Sequence, residues 1–213
     1  MIGVNGSRAL FLAALALLVV SGIAPADRTT WWLEVAPVLA GMAALIATRR
    51  RFPWTPLAQA LMFAHALVLC AGGHWTYEHV PAGEWVRDAF GLARNPYDRL
   101  GHLMQGFVPA LLAREVLVRR AVVRRGAWLF FVVTCFALAL SAAYELCEWL
   151  AAVTLGQGAD AFLGTQGDPW DTQWDMLCAL VGAVVAQLAL ARPHDRQLAH
   201  FTSSGSPASP PGR

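Results

Sequence analysis

Long apolar blocks separated by short polar stretches occupy most of the chain. A membrane-crossing helix needs about 20 mostly apolar residues, within a range of roughly 17 to 25. The pattern therefore predicts an all-α polytopic membrane bundle with six spans. The predicted spans are Ala9–Ala24, Trp31–Ala47, Leu57–Gly73, Tyr97–Val118, Ala127–Val153 and Gln173–Ala191.

The first apolar block has two interpretations. It is short, Arg8 precedes it, and Ala24-Pro25-Ala26 after it has the small-x-small pattern of a signal-peptide cleavage site. It is therefore either a first span or a cleaved signal. In both cases Asp27 is expected on the outer side, so the placement of the later spans does not change.

The composition agrees with a membrane location. The chain is 57% hydrophobic and 14% charged, whereas a soluble domain has about 25% charged residues. A formal net charge of +2 gives no indication of a nucleic-acid partner, so membrane lipid is the expected partner and the oligomeric state stays open. We expect one transmembrane domain over residues 1–198, with a motif-bearing core at about 74–191. A disordered, Ser/Pro/Gly-rich cytoplasmic tail is expected over 199–213.

The arginines predict the orientation, because short cytoplasmic loops collect positive charge. With both termini in the cytoplasm of a bacterial inner membrane, twelve of the 16 basic residues lie inside and four outside. The outer four are Arg28, Arg87, Arg94 and Arg99. The inner twelve are Arg8, Arg49, Arg50, Arg51, Arg114, Arg119, Arg120, Arg124, Arg125, Arg192, Arg196 and Arg213.

The two long outer loops have different character. The loop His74–Pro96 carries Trp85, Ala89 and Leu92 at helical spacing, which predicts a helix lying at the membrane interface. The loop Thr154–Thr172 is rich in glycine, which predicts turns over the membrane surface.

Two helix starts and two helix ends resemble each other. Asn95-Pro96-Tyr97-Asp98 and Asp168-Pro169-Trp170-Asp171 each combine a capping residue, a first-turn proline and an acid. Each follows a helix that ends in a Tyr-Glu pair, Tyr77-Glu78 or Tyr144-Glu145. This predicts a repeat of two helical hairpins, spans 3–4 and spans 5–6. Capping alone would explain the Asn and Asp residues at the starts.

Capping does not explain the ionisable residues one turn deeper. Glu145 and Glu148 share one face of an apolar span, and an acid there costs roughly 2.5–3.5 kcal/mol on insertion scales, so it normally faces a polar interior. Arg99 either reaches the lipid head groups or offsets these acids. We predict a polar site near the outer face with Glu145, Glu148, Asp175 and His102 as catalytic residues. A divalent metal ion would take its ligands from Asp98, His102, Glu148, Asp171, Asp175 and His74.

Three motifs resemble those of the YjdF-like family of bacterial inner-membrane proteins: 95–102 (NPYDRLGH), 144–149 (YELCEW) and 163–176 (LGTQGDPWDTQWDM). The resemblance covers roughly residues 74–191 and implies a location more than an activity. A looser pattern of Asp98, His102, Glu148, Asp175 and Gly182 is similar to VanZ-like membrane proteins, which implies cell-envelope chemistry.

Three functions are compatible with these residues. The first is a metal-dependent envelope protein that hydrolyses or transfers a lipid-linked head group. The second is a small transporter or proton relay that uses the same acids. The third is a non-catalytic membrane scaffold in which the acids only hold helices together.

Overall fold

The computed structural model of the chain describes residues 4–155 and 160–203, and these residues form α-helices and one 3-10 turn without any strand. The all-α prediction is thus confirmed for the described part. The helices are α1 (Val4–Ser21), α2 (Arg28–Thr48), α3 (Pro56–Trp75), α4 (Pro81–Phe90), α5 (Tyr97–Arg119), α6 (Ala127–Leu155), α7 (Asp160–Leu163) and α8 (Asp171–Ser203), with the 3-10 turn at Tyr77–His79.

Four of the described helices, α2, α3, α6 and α8, are both long and apolar enough to cross a membrane. Helix α1 is apolar but shorter, and α5 carries buried charged residues along its length. Every predicted span coincides with a helix, whereas the number of six crossings and the repeat of hairpins stay predictions.

Helix α5 lies at the centre of the bundle, packed against α3, α6 and α8. Its contact with α8 is almost backbone to backbone. A Cβ on Gly106 would lie 1.8 Å from the carbonyl oxygen of Ala179, and one on Gly182 would lie 2.1 Å from that of Leu103. Small residues allow such close approach between membrane helices. This crossing sets the distance between the side chains that α5 and α8 present to each other.

Helices α1, α2 and α3 share a second apolar core, with Leu18, Val35 and Leu69 among its buried members. The indole N–H of Trp31 donates to the hydroxyl of Ser21 over 3.1 Å, which ties α2 to the end of α1. The first apolar block is therefore packed into the bundle as part of the fold.

The bundle has two ends, which we name by their sequence features. At the motif end, α3 and α6 finish and α5 and α8 begin. At the arginine end, α2 finishes at Thr48 and α5 at Arg119, next to the start of α6. Helix α4 lies at the motif end and confirms the helix predicted there; Trp85 and Phe90 are 70% and 73% exposed on it.

A buried polar cluster joins α3, α5 and α8 at the arginine end. Glu115, which is fully buried, accepts hydrogen bonds from the backbone N–H and hydroxyl of Thr55 at 3.0 and 2.7 Å. It also lies 3.0 Å from Nε2 of His194 and 2.9 Å from Arg119. Arg114 forms a bidentate ion pair with Asp195 at 2.9 and 3.0 Å. We call these six residues the arginine-end cluster.

The predicted domain boundary at residue 198 needs a correction. Helix α8 continues to Ser203, so the first residues of the expected disordered tail are helical. Leu198 is fully buried, and the guanidinium carbon of Arg119 lies 4.3 Å from the ring centre of Phe201. These contacts hold the extra helical turn. The rest of the expected tail lies outside the described residues.

Candidate functional site

The starts of α5 and α8 have the same local geometry. The backbone N–H of Tyr97 donates to the side chain of Asn95 at 3.0 Å, and that of Trp170 donates to Asp168 at 2.9 Å. In each case a side-chain oxygen satisfies a backbone donor two residues later, where the helix itself offers no acceptor. Asn95 and Asp168 thus stabilise the turn just before each helix, whereas the cap position of α5 is Pro96, which makes no side-chain hydrogen bond.

The loop before α8 folds back onto the start of α5. Gln166 accepts from the backbone N–H of Asn95 at 2.9 Å and donates to the carbonyl of Asn95 at 3.1 Å. Gly164 and Gly167 have φ of +61° and +83°, a conformation that favours glycine. These are the turns predicted for the second half of this loop, whereas residues 156–159 lie outside the described part. The loop thereby brings the two helix starts together.

Two arginines bind the aspartates at these starts. Arg94 forms an ion pair with Asp98 at 3.1 Å and another with Asp171. Arg99 pairs with Asp168 at 3.1 Å, with Asp171 at 2.9 Å and with Asp175. Of the two roles considered for Arg99, the structure selects the offset of acidic charge. Its partners are aspartates of α8 and the preceding loop.

His102 lies one turn below these ion pairs, with carboxylates on both sides of its ring. Its Nε2 is 3.5 Å from Asp98 and 3.9 Å from Asp175. Its Nδ1 is 3.6 Å from Glu145 and 3.3 Å from the side-chain oxygen of Gln105. The carboxylate distances exceed those of a hydrogen bond. The ring is therefore surrounded by acids without being bonded to them.

The acids of α6 complete the site. Glu145 is 7% exposed, and its Oε1 has no hydrogen-bond partner although it is buried. Glu148 is also 7% exposed and faces a cavity between the helices. A buried carboxylate oxygen without a partner is costly. Nδ1 of His102 lies 3.6 Å from this oxygen, so its charge is compensated only weakly by the protein.

Helix α2 adds a further acid at the same depth. Glu34 is 3% exposed and accepts a hydrogen bond from the hydroxyl of Tyr144 at 3.3 Å. Tyr77, in the turn after α3, lines the same cavity. Burial raises the pKa of Tyr77 well above its usual value, and the neighbouring charge of Glu34 raises it further. The Tyr77 phenol therefore stays protonated at neutral pH.

Carboxyl groups outnumber the cations in what we call the motif-end cluster. Its members are Glu34, Arg94, Asp98, Arg99, His102, Glu145, Glu148, Asp168, Asp171 and Asp175. Two arginines and one histidine do not neutralise seven buried or half-buried acids. Uncompensated charge is expensive in a low-dielectric interior. Protons or a bound cation must therefore supply the difference.

Within the described residues, two sets of ligand atoms are close enough to share a metal ion. One set is Asp98, His102 and Asp175, the other is His102, Glu145 and Glu148, and the atoms of each lie within 4.8 Å of one another. His102 belongs to both because its two ring nitrogens face opposite sides. The donors, imidazole and carboxylate, suit Zn²⁺ and Mn²⁺.

Comparison with known proteins gives the family. A family model described as "Predicted membrane protein (DUF2238)" matches residues 6–196. The chain belongs to the DUF2238 family. It is 55% identical over 185 residues to the inner membrane protein YjdF of Escherichia coli (strain K12), which covers 87% of this chain and 88% of that protein. No solved structure matches.

This membership confirms the resemblance to YjdF-like proteins and identifies the chain as an integral inner-membrane protein. The DUF2238 match also extends well beyond the region 74–191 on which the resemblance rested, since it includes α1 and α2. The similarity to VanZ-like proteins stays a prediction.

In this DUF2238 chain, the structure brings together the four residues predicted as catalytic, Glu145, Glu148, Asp175 and His102. Asp98, predicted as a ligand, joins them. Two predicted ligands are placed differently. Asp171 belongs to neither set of ligand atoms and is bound by both arginines. Nδ1 of His74 lies 2.9 Å from the carbonyl of Ser21, which turns it towards α1.

The sequence-based reasoning missed three members of the site. Glu34 is an acid within an apolar span, so the criterion applied to Glu145 would have found it. Arg94 was assigned to an outer loop, since nothing local shows that it pairs with residues more than 70 positions away. Gln105 lies one helical turn after His102, and this spacing places both side chains on one face of the helix. The spacing alone could have identified Gln105 from the sequence.

Proposed function

We propose that the chain is an inner-membrane hydrolase or transferase whose motif-end cluster binds a divalent metal ion and acts on a lipid-linked substrate at the outer face. The observation that carries this proposal is the geometry around His102. With metal–ligand bonds of about 2.0–2.1 Å, tetrahedral ligand atoms lie roughly 3.4 Å apart. The distances of 3.5 and 3.9 Å from Nε2 to Asp98 and Asp175 are close to this value.

The surroundings of Nδ1 favour the Nε2 side for the ion. The oxygen of Gln105 lies 3.3 Å from Nδ1 and is placed to accept its proton, which leaves Nε2 free to bind a metal. Metal-binding histidines usually donate their other ring N–H to such an oxygen, which fixes the tautomer and the ring orientation. Asp98, His102 and Asp175 are therefore the proposed ligands, and Gln105 is a positioning residue.

Glu148 is the proposed general base. A bound divalent ion lowers the pKa of a coordinated water and supplies a nucleophile at neutral pH. Glu148 has a carboxylate oxygen within 4.8 Å of a ring nitrogen of His102, and it lines the cavity from which a substrate would reach the ligands. An acid there can take the proton of the attacking water. Glu145, with its unpartnered oxygen, is placed to hold that proton next.

Metal content tests this proposal directly. Protein purified in mild detergent should retain a divalent ion at close to one per chain by elemental analysis. His102→Ala and Asp175→Asn should lose it, and Gln105→Ala should weaken binding by about 10–100-fold. His65→Ala is the matched control, because His65 lines the same cavity outside both ligand sets.

Activity is tested with lipids extracted from the membranes in which the protein is expressed. Released head groups should be detected by mass spectrometry with the loaded protein, and should disappear with chelator or with Glu148→Gln. Protein without metal under several purification conditions would contradict the proposal. Loaded protein that leaves every lipid intact would contradict the catalytic part alone.

The orientation is part of the same proposal. Both termini lie in the cytoplasm, which places the motif end outside and the arginine end inside, as the twelve-to-four split of the arginines favours. A reporter fused after Arg50 or Arg120 should then report the cytoplasm. One fused within residues 156–167 should report the outer side, and reversed signals at both kinds of site would invert the assignment.

A second candidate function is a proton relay, and His65 favours it. Its Nε2 is buried without a hydrogen-bond partner, about halfway along α3 on the cavity wall. Acids at one end of the cavity and a histidine near its middle are groups that can pass protons. Proton flux into dye-loaded liposomes that is abolished by His65→Ala would support this function, whereas unchanged flux would exclude that route.

A further inference from the structure

A cavity of about 990 Å³ extends along the bundle from one end to the other. Its walls come from α1, α2, α3, α5 and α6, and their lining residues are mostly apolar. At the motif end it reaches six polar side chains. These are Glu34, Tyr77, Asp98, His102, Tyr144 and Glu148.

The cavity is open on its side. Leu12, Ile46 and Leu140 line it and are nevertheless 61%, 53% and 39% exposed. They belong to α1, α2 and α6, and two of these, α2 and α6, are long and apolar enough to cross the membrane. The opening between them therefore lies at the depth of the lipid chains. What can enter there is a hydrocarbon chain.

Both ends of the cavity are polar, since Arg8, Arg49 and Arg50 line it at the arginine end. The proposed metal-binding function directs the head group to the motif end. A chain lying among the apolar residues would place its head group beside His102 and Glu148. Acids dominate this end, so an anionic head group binds there only together with a cation. A divalent ion at Asp98, His102 and Asp175 provides that positive charge, and phosphate oxygens are ligands that such ions accept.

We infer that the cavity binds the hydrocarbon chain of a phosphate-bearing membrane lipid, which enters sideways between α2 and α6 and places its phosphate at the motif-end cluster. The position of the head group rests on the proposed metal-dependent function, whereas the binding of the hydrocarbon chain in the cavity does not depend on it. Diacyl phospholipids and polyprenyl phosphates share the required chemistry. The experiment therefore includes both.

Gly41 offers a way to fill the cavity without disturbing the fold. It lies on the cavity wall in α2, and a Cβ added there would meet no atom within 4 Å. Gly41→Phe should therefore occupy space that is otherwise free. Ala43→Phe is the matched control, because Ala43 is exposed on the same helix and does not line the cavity.

The test uses two photoreactive probes in phosphatidylcholine vesicles, phosphatidic acid with a diazirine near the chain end and a diazirine-bearing polyprenyl phosphate. After irradiation, peptide mapping should locate the label of at least one probe on cavity residues such as Met42, Met62 or Phe63. Gly41→Phe should reduce this labelling about tenfold, because the excluded chain loses its apolar contacts. Ala43→Phe should leave it unchanged.

Metal content measured on the same samples separates the two proposals. Gly41→Phe should keep its ion, since Gly41 lies outside both ligand sets. If Gly41→Phe does not fold, Gly41→Leu replaces it as a smaller plug. If protein that contains its metal ion is not labelled in the cavity, the inference is wrong but the metal site is not affected. The same holds if neither Gly41→Phe nor Gly41→Leu reduces the labelling. If the cavity is labelled in protein that contains no metal ion, the binding of the hydrocarbon chain is supported and the metal-dependent function is wrong.

Discussion

The two buried polar clusters of this chain share α5 and α8 but differ in how their hydrogen bonds are satisfied. At the arginine end, Glu115 receives bonds of 2.7–3.0 Å from three partner residues. At the motif end, the carboxylates around His102 lie 3.5–3.9 Å from its ring, and Glu145 has an unpartnered oxygen. A fully satisfied polar network stabilises one structure. Buried polar groups that lack partners need another explanation, such as a role in binding or catalysis.

The two histidines show the same difference. Nδ1 of His194 lies 3.2 Å from a guanidinium nitrogen of Arg114, which only donates, so Nδ1 accepts and Nε2 carries the proton given to Glu115. His194 thereby has both ring nitrogens in contact with a partner. His102 has one amide oxygen near Nδ1 and only distant carboxylates near Nε2. The first ring is a structural link, and the second has no close hydrogen-bond partner at Nε2 among the described residues.

The largest effect is expected where both clusters depend on one feature, the close crossing of α5 and α8. Gly106→Ala places a methyl group 1.8 Å from the backbone oxygen of Ala179, and backbone cannot move aside as a side chain can. We expect a loss of about 4 kcal/mol or more in unfolding free energy, seen as early aggregation in heated detergent samples. Gly41→Ala is the control and should gain roughly 0.5–1 kcal/mol. Equal melting of both variants would contradict the crossing.

The next effect belongs to the arginine end alone. Glu115→Gln keeps the shape of the side chain but turns an N–H₂ group towards donors and leaves Arg119 without its carboxylate. We expect a loss of about 3 kcal/mol, as for breaking a buried ion pair, measured by thermal unfolding in detergent. Asp88→Asn is the control, since its side chain is 69% exposed and pairs with Arg87 on the surface, so it should lose about 1 kcal/mol or less. Similar losses in both variants would mean that burial does not decide the strength of this cluster.

A smaller effect is expected from the ion pairs at the motif end. Arg99→Gln removes one guanidinium that faces Asp168, Asp171 and Asp175, so these acids repel one another. We expect a loss of about 1–3 kcal/mol, part of which a saturating divalent ion restores by binding between the acids. Arg87→Gln is the control, because Arg87 pairs on the surface with its exposed neighbour Asp88 and should melt like the parent. An unchanged melting temperature for Arg99→Gln would show that its pairs contribute nothing.

The sequence was informative where a property is local and much less so where it depends on distant pairing. Hydrophobic blocks located every long helix, and Glu145 and Glu148 were recognisable because an acid in an apolar span is unusual. The arginine-end cluster was missed, since Thr55, Glu115 and His194 lie 60 and 79 positions apart and each looks ordinary in its own segment. Arg99 was ambiguous for the same reason, because its partners are about 70 residues away.

The smallest effect, and the sharpest comparison, comes from making the same Glu→Gln change at the motif end. Glu145→Gln keeps the shape of a side chain whose Oε1 makes no hydrogen bond, and an amide is cheaper to place in a membrane than an ionised acid. With chelator present, the unfolding free energy should therefore stay within about 0.5 kcal/mol of the parent, against the large loss expected for Glu115→Gln. Thermal unfolding of the two variants side by side measures the difference. A loss at Glu145 as large as that at Glu115 would mean that the motif-end acids hold the helices together, as in the scaffold hypothesis. If Glu145→Gln keeps the unfolding free energy of the parent but releases no head group in the presence of the ion, the acid is buried beside His102 for its chemical role.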